Sequence, residues 1–214
     1  MTKVGARVAD DGAPQRRTQT ERRALTRAAL LDATIDSLVE HGYARFTTEQ
    51  IVRRAGVTRG AQAHHFSTKA ELIVEALKRV SEQILAKFSA DPLPIRGDPN
   101  QLLQQIWQIH ISEVYTATTE LWVAARTEPE LRAGLQTFVR QLMEWVYRTC
   151  AEVDPELAAR PGFRTWLQLT LATVRGLAIL RFVRDPDEVD LLWDDLRSEL
   201  LSRTPGPREN LRRE

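Results

Sequence analysis

Three threonines set about ten residues apart, Thr47, Thr58 and Thr68, constrain this chain more tightly than any other feature. Thr47-Thr48-Glu49-Gln50 has the form of a capping box and starts a short helix through Arg54. Gly56 can take the positive φ that a sharp turn needs. Thr58 then caps a second helix to about Phe66. Thr68-Lys69-Ala70-Glu71 is another capping box, opening a longer helix to about Phe88. The stretch Ala55–Leu72, AGVTRGAQAHHFSTKAEL, therefore reads as a tight helix–turn–helix.

The remainder is helical too. From about Thr20, Leu30, Leu31, Ile35, Leu38 and Val39 recur at steps of three and four until His41-Gly42 end the run. ADPLPIRGDP, residues 90–99, breaks helix and marks a domain boundary. Beyond it, helical patterns occupy Gln101–Ala117, Thr119–Arg126, Glu130–Val153, Gly162–Arg184 and Asp187–Arg203, with Pro129, Pro155, Pro161 and Pro186 near their ends. No run of alternating β-branched residues suggests a sheet. The expectation is an all-α fold of about nine helices in two domains, 19–89 with the helix–turn–helix at about 47–66, and a bundle over 98–203. Residues 1–18 read as a disordered basic arm and 204–214 as a frayed tail.

Apolar residues make up 43% of the chain, enough for a core, and the single cysteine, Cys150, excludes an intrachain disulfide. No segment approaches the ~18 continuous apolar residues of a membrane span. The opening MTKVGARVADDGAPQRR lacks the apolar core of a secretory signal, so a soluble cytoplasmic protein is expected. The net charge of +1 conceals an asymmetry: residues 1–70 hold 12 Lys/Arg against 7 Asp/Glu, and residues 71–214 hold 18 against 22. A basic first third suits an encounter with a polyanion at one end only, although clustering by chance produces the same count.

The chemistry of the second short helix agrees with DNA. The N-terminal end of a reading helix enters the major groove, where Arg59 and Gln62 match guanine and adenine edges. Gly60 and Ala61 are small enough for close backbone approach. His64 and His65 lie one turn on, within reach of phosphates or bases. Lys69, at the next helix start, and Thr47 and Thr48, before the turn, suit phosphate. Gln62 also stands four residues from Phe66, so its spacing leaves it either at the groove or in the core. Adjacent helical histidines point about 100° apart and cannot chelate together, so no metal site and no cofactor are expected.

From about Arg22 to Ile84 the chain resembles the DNA-binding domain of the TetR (tetracycline repressor-like) family of bacterial transcription regulators. The matching residues are His41-Gly42-Tyr43, Thr47 to Ile51, Ala55-Gly56-Val57-Thr58, His65-Phe66, Lys69 and Leu72. The resemblance implies that Arg59, Gly60, Ala61, His64 and His65 face DNA and that Thr47 and Lys69 hold phosphates. Two positions depart from the family pattern: Gln62 replaces a common aliphatic residue, and Ala63 replaces a phosphate-contacting tyrosine. Arg16, Arg17, Arg22, Arg23 and Arg27 are candidates to replace that lost grip; a solubilising arm is the alternative.

One reading helix touches few base pairs, so a homodimer on palindromic double-stranded DNA is expected. The last two long helices are the natural interface: Trp166, Leu169, Leu171, Val174, Leu177, Ile179, Leu180 and Phe182 make the first apolar around much of its circumference, so that it must be buried from several sides, and Leu191, Leu192, Trp193, Leu196, Leu200 and Leu201 form a broad stripe on the second. The resemblance supports this reading and implies a small-molecule effector. Trp107, His110, Tyr115, Trp122, Arg126, Phe138, Trp145 and Trp166 are the candidate pocket residues; filling of an ordinary core is the competing account. Met143, Tyr147, Gln141 and Arg175 are further candidates. An enzyme is disfavoured, since there is no Glu-x-x-His pair, no phosphate-cradling glycine loop and no nucleophile beside a base. A helical interaction module that has lost DNA binding is the third reading. Repression released by an apolar or amphipathic ligand is the leading one.

Overall fold

The computed structural model describes residues 18–90 and 96–206; the arm, part of the connector and most of the tail lie outside the described residues. Ten α-helices and no strand occur among them. The first, α1 (Gln19–Arg45), starts in a capping box between Thr18 and Glu21. Its regular part stops where expected, because Gly42 takes φ +68° before one more turn reaches Arg45. Glycine is needed there for the positive φ, and a Cβ at Gly42 would also stand 2.6 Å from a Glu120 carboxylate oxygen and push that side chain aside. The helices α2 (Thr48–Arg54), α3 (Arg59–His65) and α4 (Lys69–Ala90) follow, with Gly56 at φ +65° in the turn.

The body contains α5 (Pro99–His110), α6 (Glu113–Ala124), α7 (Pro129–Val153), α8 (Pro155–Ala158), α9 (Phe163–Leu180) and α10 (Pro186–Ser202). Two sequence expectations are corrected. The break expected between Ala117 and Thr119 falls instead at Ile111-Ser112, where Ser112 Oγ accepts from the Tyr115 N–H at 3.3 Å and donates to the Ile109 carbonyl at 2.7 Å. Thr116, Thr118 and Thr119 stay inside α6 because each hydroxyl donates to the carbonyl four residues back. The additional helix, α8, is a single turn capped by Asp154, whose Oδ1 accepts from the Leu157 N–H at 2.9 Å.

Two apolar cores result, and they do not divide at the connector. One joins Leu30, Leu31, Ile51, Phe66, Leu72 and Ile73 to Leu121, Leu131 and Phe138, so α6 and α7 complete the core of the N-terminal head. The other gathers Leu103, Trp107, Phe163, Trp166, Leu167, Val174 and Trp193. Helix α4 packs along α7, and at Gly134 a Cβ would lie 2.8 Å from Val74 Cγ2. The head therefore rests on the body through packed helices rather than through the connector.

Candidate DNA interface and internal cavity

The short helices of the head are set by caps. Thr47 Oγ1 accepts from the Gln50 N–H at 3.3 Å while Gln50 Oε1 accepts from the Thr47 N–H at 2.9 Å. Thr58 Oγ1 accepts from the Ala61 N–H at 3.1 Å. With its start fixed, α3 buries one side under Phe66 and leaves the opposite side open. Arg59, Gly60, Ala63 and His64 are exposed, and Ala61 and His65 are half-exposed. Gln62 is 8% exposed, and its Nε2 donates to the Phe66 carbonyl at 3.2 Å. The expectation that Gln62 reads a base is therefore corrected: a buried amide needs an internal partner, and the carbonyl at the end of α3 supplies it.

Charge pairing separates the inner cations from the outer ones. Arg54 is bonded to Glu40 and lies 3.4 Å from Asp36, Arg79 pairs with Asp32 at 2.8 Å, and Arg27 pairs with Glu75. Arg59 has no carboxylate partner among the described residues, which leaves its guanidinium for a groove or a phosphate. Thr47 is exposed and Thr48 half-exposed at the start of α2. Partial burial and then the charges of Arg23, His64 and Arg27 hold the His65 pKa below its ordinary value.

Lys69 occupies the first position of α4. Its ammonium lies 4.2 Å from the Tyr43 ring centre and 5.1 Å from that of Phe46. Burial against this aromatic shelf lowers its pKa, with the Glu128 carboxylate pulling the other way. Thr68 Oγ1 accepts from the Glu71 N–H at 3.1 Å, while the Glu71 carboxylate reaches back to the Ser67 N–H at 2.6 Å. Tyr43 also ties head to body: its N–H donates to Glu120 at 2.6 Å and its hydroxyl to Glu128. Burial, then Glu128, raises the Tyr43 pKa. The carboxylates lie 77 and 85 residues further along the chain, so no local spacing pointed to them.

A cavity of about 160 Å³ opens at the seam of the two cores. Of the residues expected to line it, His110, Tyr115, Trp122 and Phe138 do so, joined by Met143 and Arg175. Four expectations are corrected. Trp107 is 2% exposed and stacked on Trp193 with ring centres 5.1 Å apart. Trp166 sits in the same core, its Nε1 donating to the Leu200 carbonyl at 2.9 Å. Trp145 is half-exposed on the outer side of α7 beside Glu82, Ala86 and Ser89. Arg126 is exposed in the turn after α6. Of the further candidates, Tyr147 is buried in the second core and Gln141 is exposed. The wall that sequence reasoning missed is α4, which contributes Leu77, Val80, Ser81, Ile84 and Leu85. Their steps of three and four were the available sign that this helix has a second apolar face.

The wall holds no aspartate or glutamate. His110 Nδ1 lies 2.7 Å from the Ile106 carbonyl, and burial, reinforced by Arg175, pushes its pKa down to about 4. The ring is therefore neutral at neutral pH, with Nδ1–H donating and Nε2 carrying a lone pair. Its ring centre lies 4.2 Å from that of Tyr115, whose hydroxyl is pushed up to about 12 by burial against the opposing pull of Arg175. Burial raises the Cys150 thiol to about 12 as well, leaving it an inert part of the wall. Among the described residues no group of three or more metal-ligating side chains comes together.

Comparison with known proteins agrees with this geometry. Residues 30–76 match the family described as bacterial regulatory proteins, tetR family. The chain is 35% identical over 131 residues to the HTH-type transcriptional regulator CymR of Pseudomonas putida, an alignment covering 60% of this chain and 64% of CymR. It is 31% identical over 185 residues to an HTH-type transcriptional regulator of Mycobacterium tuberculosis, covering 81% of this chain and 91% of that protein. The crystal structure of a transcriptional regulator from Rhodococcus sp. Rha1 has the same fold, with a TM-score of 0.61 at 24% identity over 85% of this chain and 99% of that one. No described helix is long and apolar enough to cross a membrane. An open α3 held by capped short helices, the family match across that head and the near full-length relative together identify the chain as a DNA-binding transcriptional regulator of the TetR family.

Proposed function

We propose that this protein is a homodimeric repressor that leaves its palindromic operator when a small apolar or amphipathic molecule fills the cavity. The observation that carries the reading is the double duty of α6. One side of that helix supplies Tyr115, Thr118 and Trp122 to the cavity, and Glu120 on the same helix holds the Tyr43 N–H at the end of α1. A molecule that displaces α6 moves the carboxylate on which the head rests. Because α4 lines the same cavity and begins at Lys69, the head is carried from two sides. Coupling of 1–3 kcal/mol, roughly 5–150-fold in operator affinity, is the ordinary scale of such a link.

The uncovered apolar surface of α9 and α10 supports the dimer. Leu169 is 45% exposed, Ile179 46% and Leu191 69%, and a Cβ at Gly176 meets nothing within 4 Å. A stripe of this kind with a small residue at its centre suits close packing against its own two-fold copy. To read a palindrome, such a dimer has to hold its two α3 helices about 34 Å apart, one turn of DNA.

A gel shift on the DNA upstream of the protein's own gene, with sedimentation of the complex, tests the reading. Two chains per operator, lost on replacing Gly176 with arginine, are expected. A monomer at micromolar concentration, or no shift at low salt from a folded dimer, rejects it. For the effector, Glu120→Ala, which takes away the α6 acceptor of the Tyr43 N–H, is expected to blunt ligand-driven release; full release in that variant removes the Glu120 link from the mechanism.

A further inference from the structure

Resting on the effector reading above, we infer that the cavity is selective for a small organic carboxylate, a single-ring or short-chain acid bound as its anion through Arg175. Arg175 is the one charged side chain in the wall, and it has no ion pair with any described residue. Its Nε is buried without a hydrogen-bond partner, and its guanidinium carbon stands 5.2 Å from the centre of the Trp122 ring. The Tyr115 hydroxyl and the Trp122 Nε1 are likewise buried and unpartnered.

Each of these groups has a proton to give. Arginine and indole can only donate, and the Tyr115 phenol, whose oxygen faces the Arg175 guanidinium, still has its proton to donate. An unpaired buried donor is costly, and a cluster of them around one cation is rare in a finished core. A neutral ligand or a water satisfies single donors and leaves the charge uncompensated. A cationic ligand meets Arg175 directly, with no carboxylate in the wall to offset it. A carboxylate supplies the missing charge and as many as four acceptor sites in one plane, the geometry that a guanidinium fork matches.

The remaining wall sets the body of the ligand. Leu77, Ile106, Phe138 and Leu171 surround the polar corner with hydrocarbon. A cavity of about 160 Å³ is close to the ~150 Å³ that accepts one benzene ring in an engineered apolar core. One ring, or an aliphatic chain of similar volume, fills it once the carboxylate sits at Arg175. Fused polycyclic ligands exceed it.

The test is calorimetric titration of the full-length dimer at pH 7.5 with benzoate, phenylacetate, 3-phenylpropanoate and hexanoate, each beside its amide and its amine analogue. At least one acid is expected to bind tenfold or more tightly than both its analogues. Arg175→Gln is expected to erase that ratio without removing amide binding, and Arg175→Lys to keep part of it. An amide that matches its acid, or an amine that exceeds it, overturns carboxylate selectivity and leaves the effector reading standing. No binding by any acid also overturns it, and operator release measured with the uncharged members then decides the effector reading separately. If Arg175→Gln does not fold, Tyr115→Phe carries the test: the acid-to-amide ratio narrows, and an unchanged ratio overturns the inference.

Discussion

The head and the body use polar residues in opposite ways. In the head, Arg59 and His64 project from a seven-residue helix into solvent, and the core beneath is complete without them. In the body, His110, Tyr115, Trp122 and Arg175 come from three helices and meet inside a cavity between two cores. On the proposed reading, function in the head is therefore separable from stability, whereas in the body the same atoms serve both. A substitution on α3 reports on recognition, and one in the cavity reports on recognition and folding together.

The sharpest contrast is with aromatic residues that only fill the core. Trp107→Ala removes one half of the Trp107–Trp193 stack and is expected to cost about 3–5 kcal/mol in urea unfolding, with operator affinity per folded dimer unchanged. A change in ligand affinity at the cavity in the remaining folded protein would return Trp107 to the pocket. The next effect is in pH. His110 keeps a pKa near 4 when folded against about 6.5 when unfolded, so as pH falls from 6.5 the unfolded chain takes up a proton first. Stability from this group is complete above pH 6.5 and about 3 kcal/mol is lost by pH 4. Urea titrations of wild type and His110→Gln are expected to converge over that window; parallel pH profiles would show that the ring is not buried neutral.

Arg59→Ala tests the head from the other direction. Operator affinity is expected to fall by about 1–3 kcal/mol while the unfolding midpoint moves by less than the ~0.5 kcal/mol usual for surface changes. A stability loss as large as the affinity loss would end the separation argued for the head. The smallest effect is Gln62→Ala, which breaks the bond to the Phe66 carbonyl. It is expected to cost about 1 kcal/mol of stability and to leave the order of preference among operator variants unaltered. Relaxed preference at one base pair, measured by competition, would put Gln62 back at the groove.

What was legible in the sequence follows the same division. The caps at Thr47 and Thr58, the turn at Gly56 and the open residues of α3 depend on partners within four residues, so local spacing carries them. Gln62 was the ambiguous member because its spacing from Phe66 suited both burial and readout. In the body, spacing located helices but not the destinations of their side chains. Trp107, Trp145 and Trp166 share the composition of a pocket, yet only the rotation of each helix decides whether a ring meets a cavity, a core or solvent. The Ser112 cap was hidden by threonines that resemble helix starts, and α8 by its length of one turn. Glu120 and Glu128 were invisible as supports for Tyr43, because long-range pairing leaves no periodic trace.

Helix α4 begins under Lys69, gives Leu72, Ile73 and Ala76 to the core of the head, and ends as a wall of the cavity. If the cavity takes an effector as proposed, divergence along this helix cannot adjust the two specificities one at a time: a bulkier side chain at Leu77 trims the cavity and shifts the floor beneath α3 in one step. On the same proposal, operator preference is free to change on α3 and effector preference on α9, but along α4 the two must drift together.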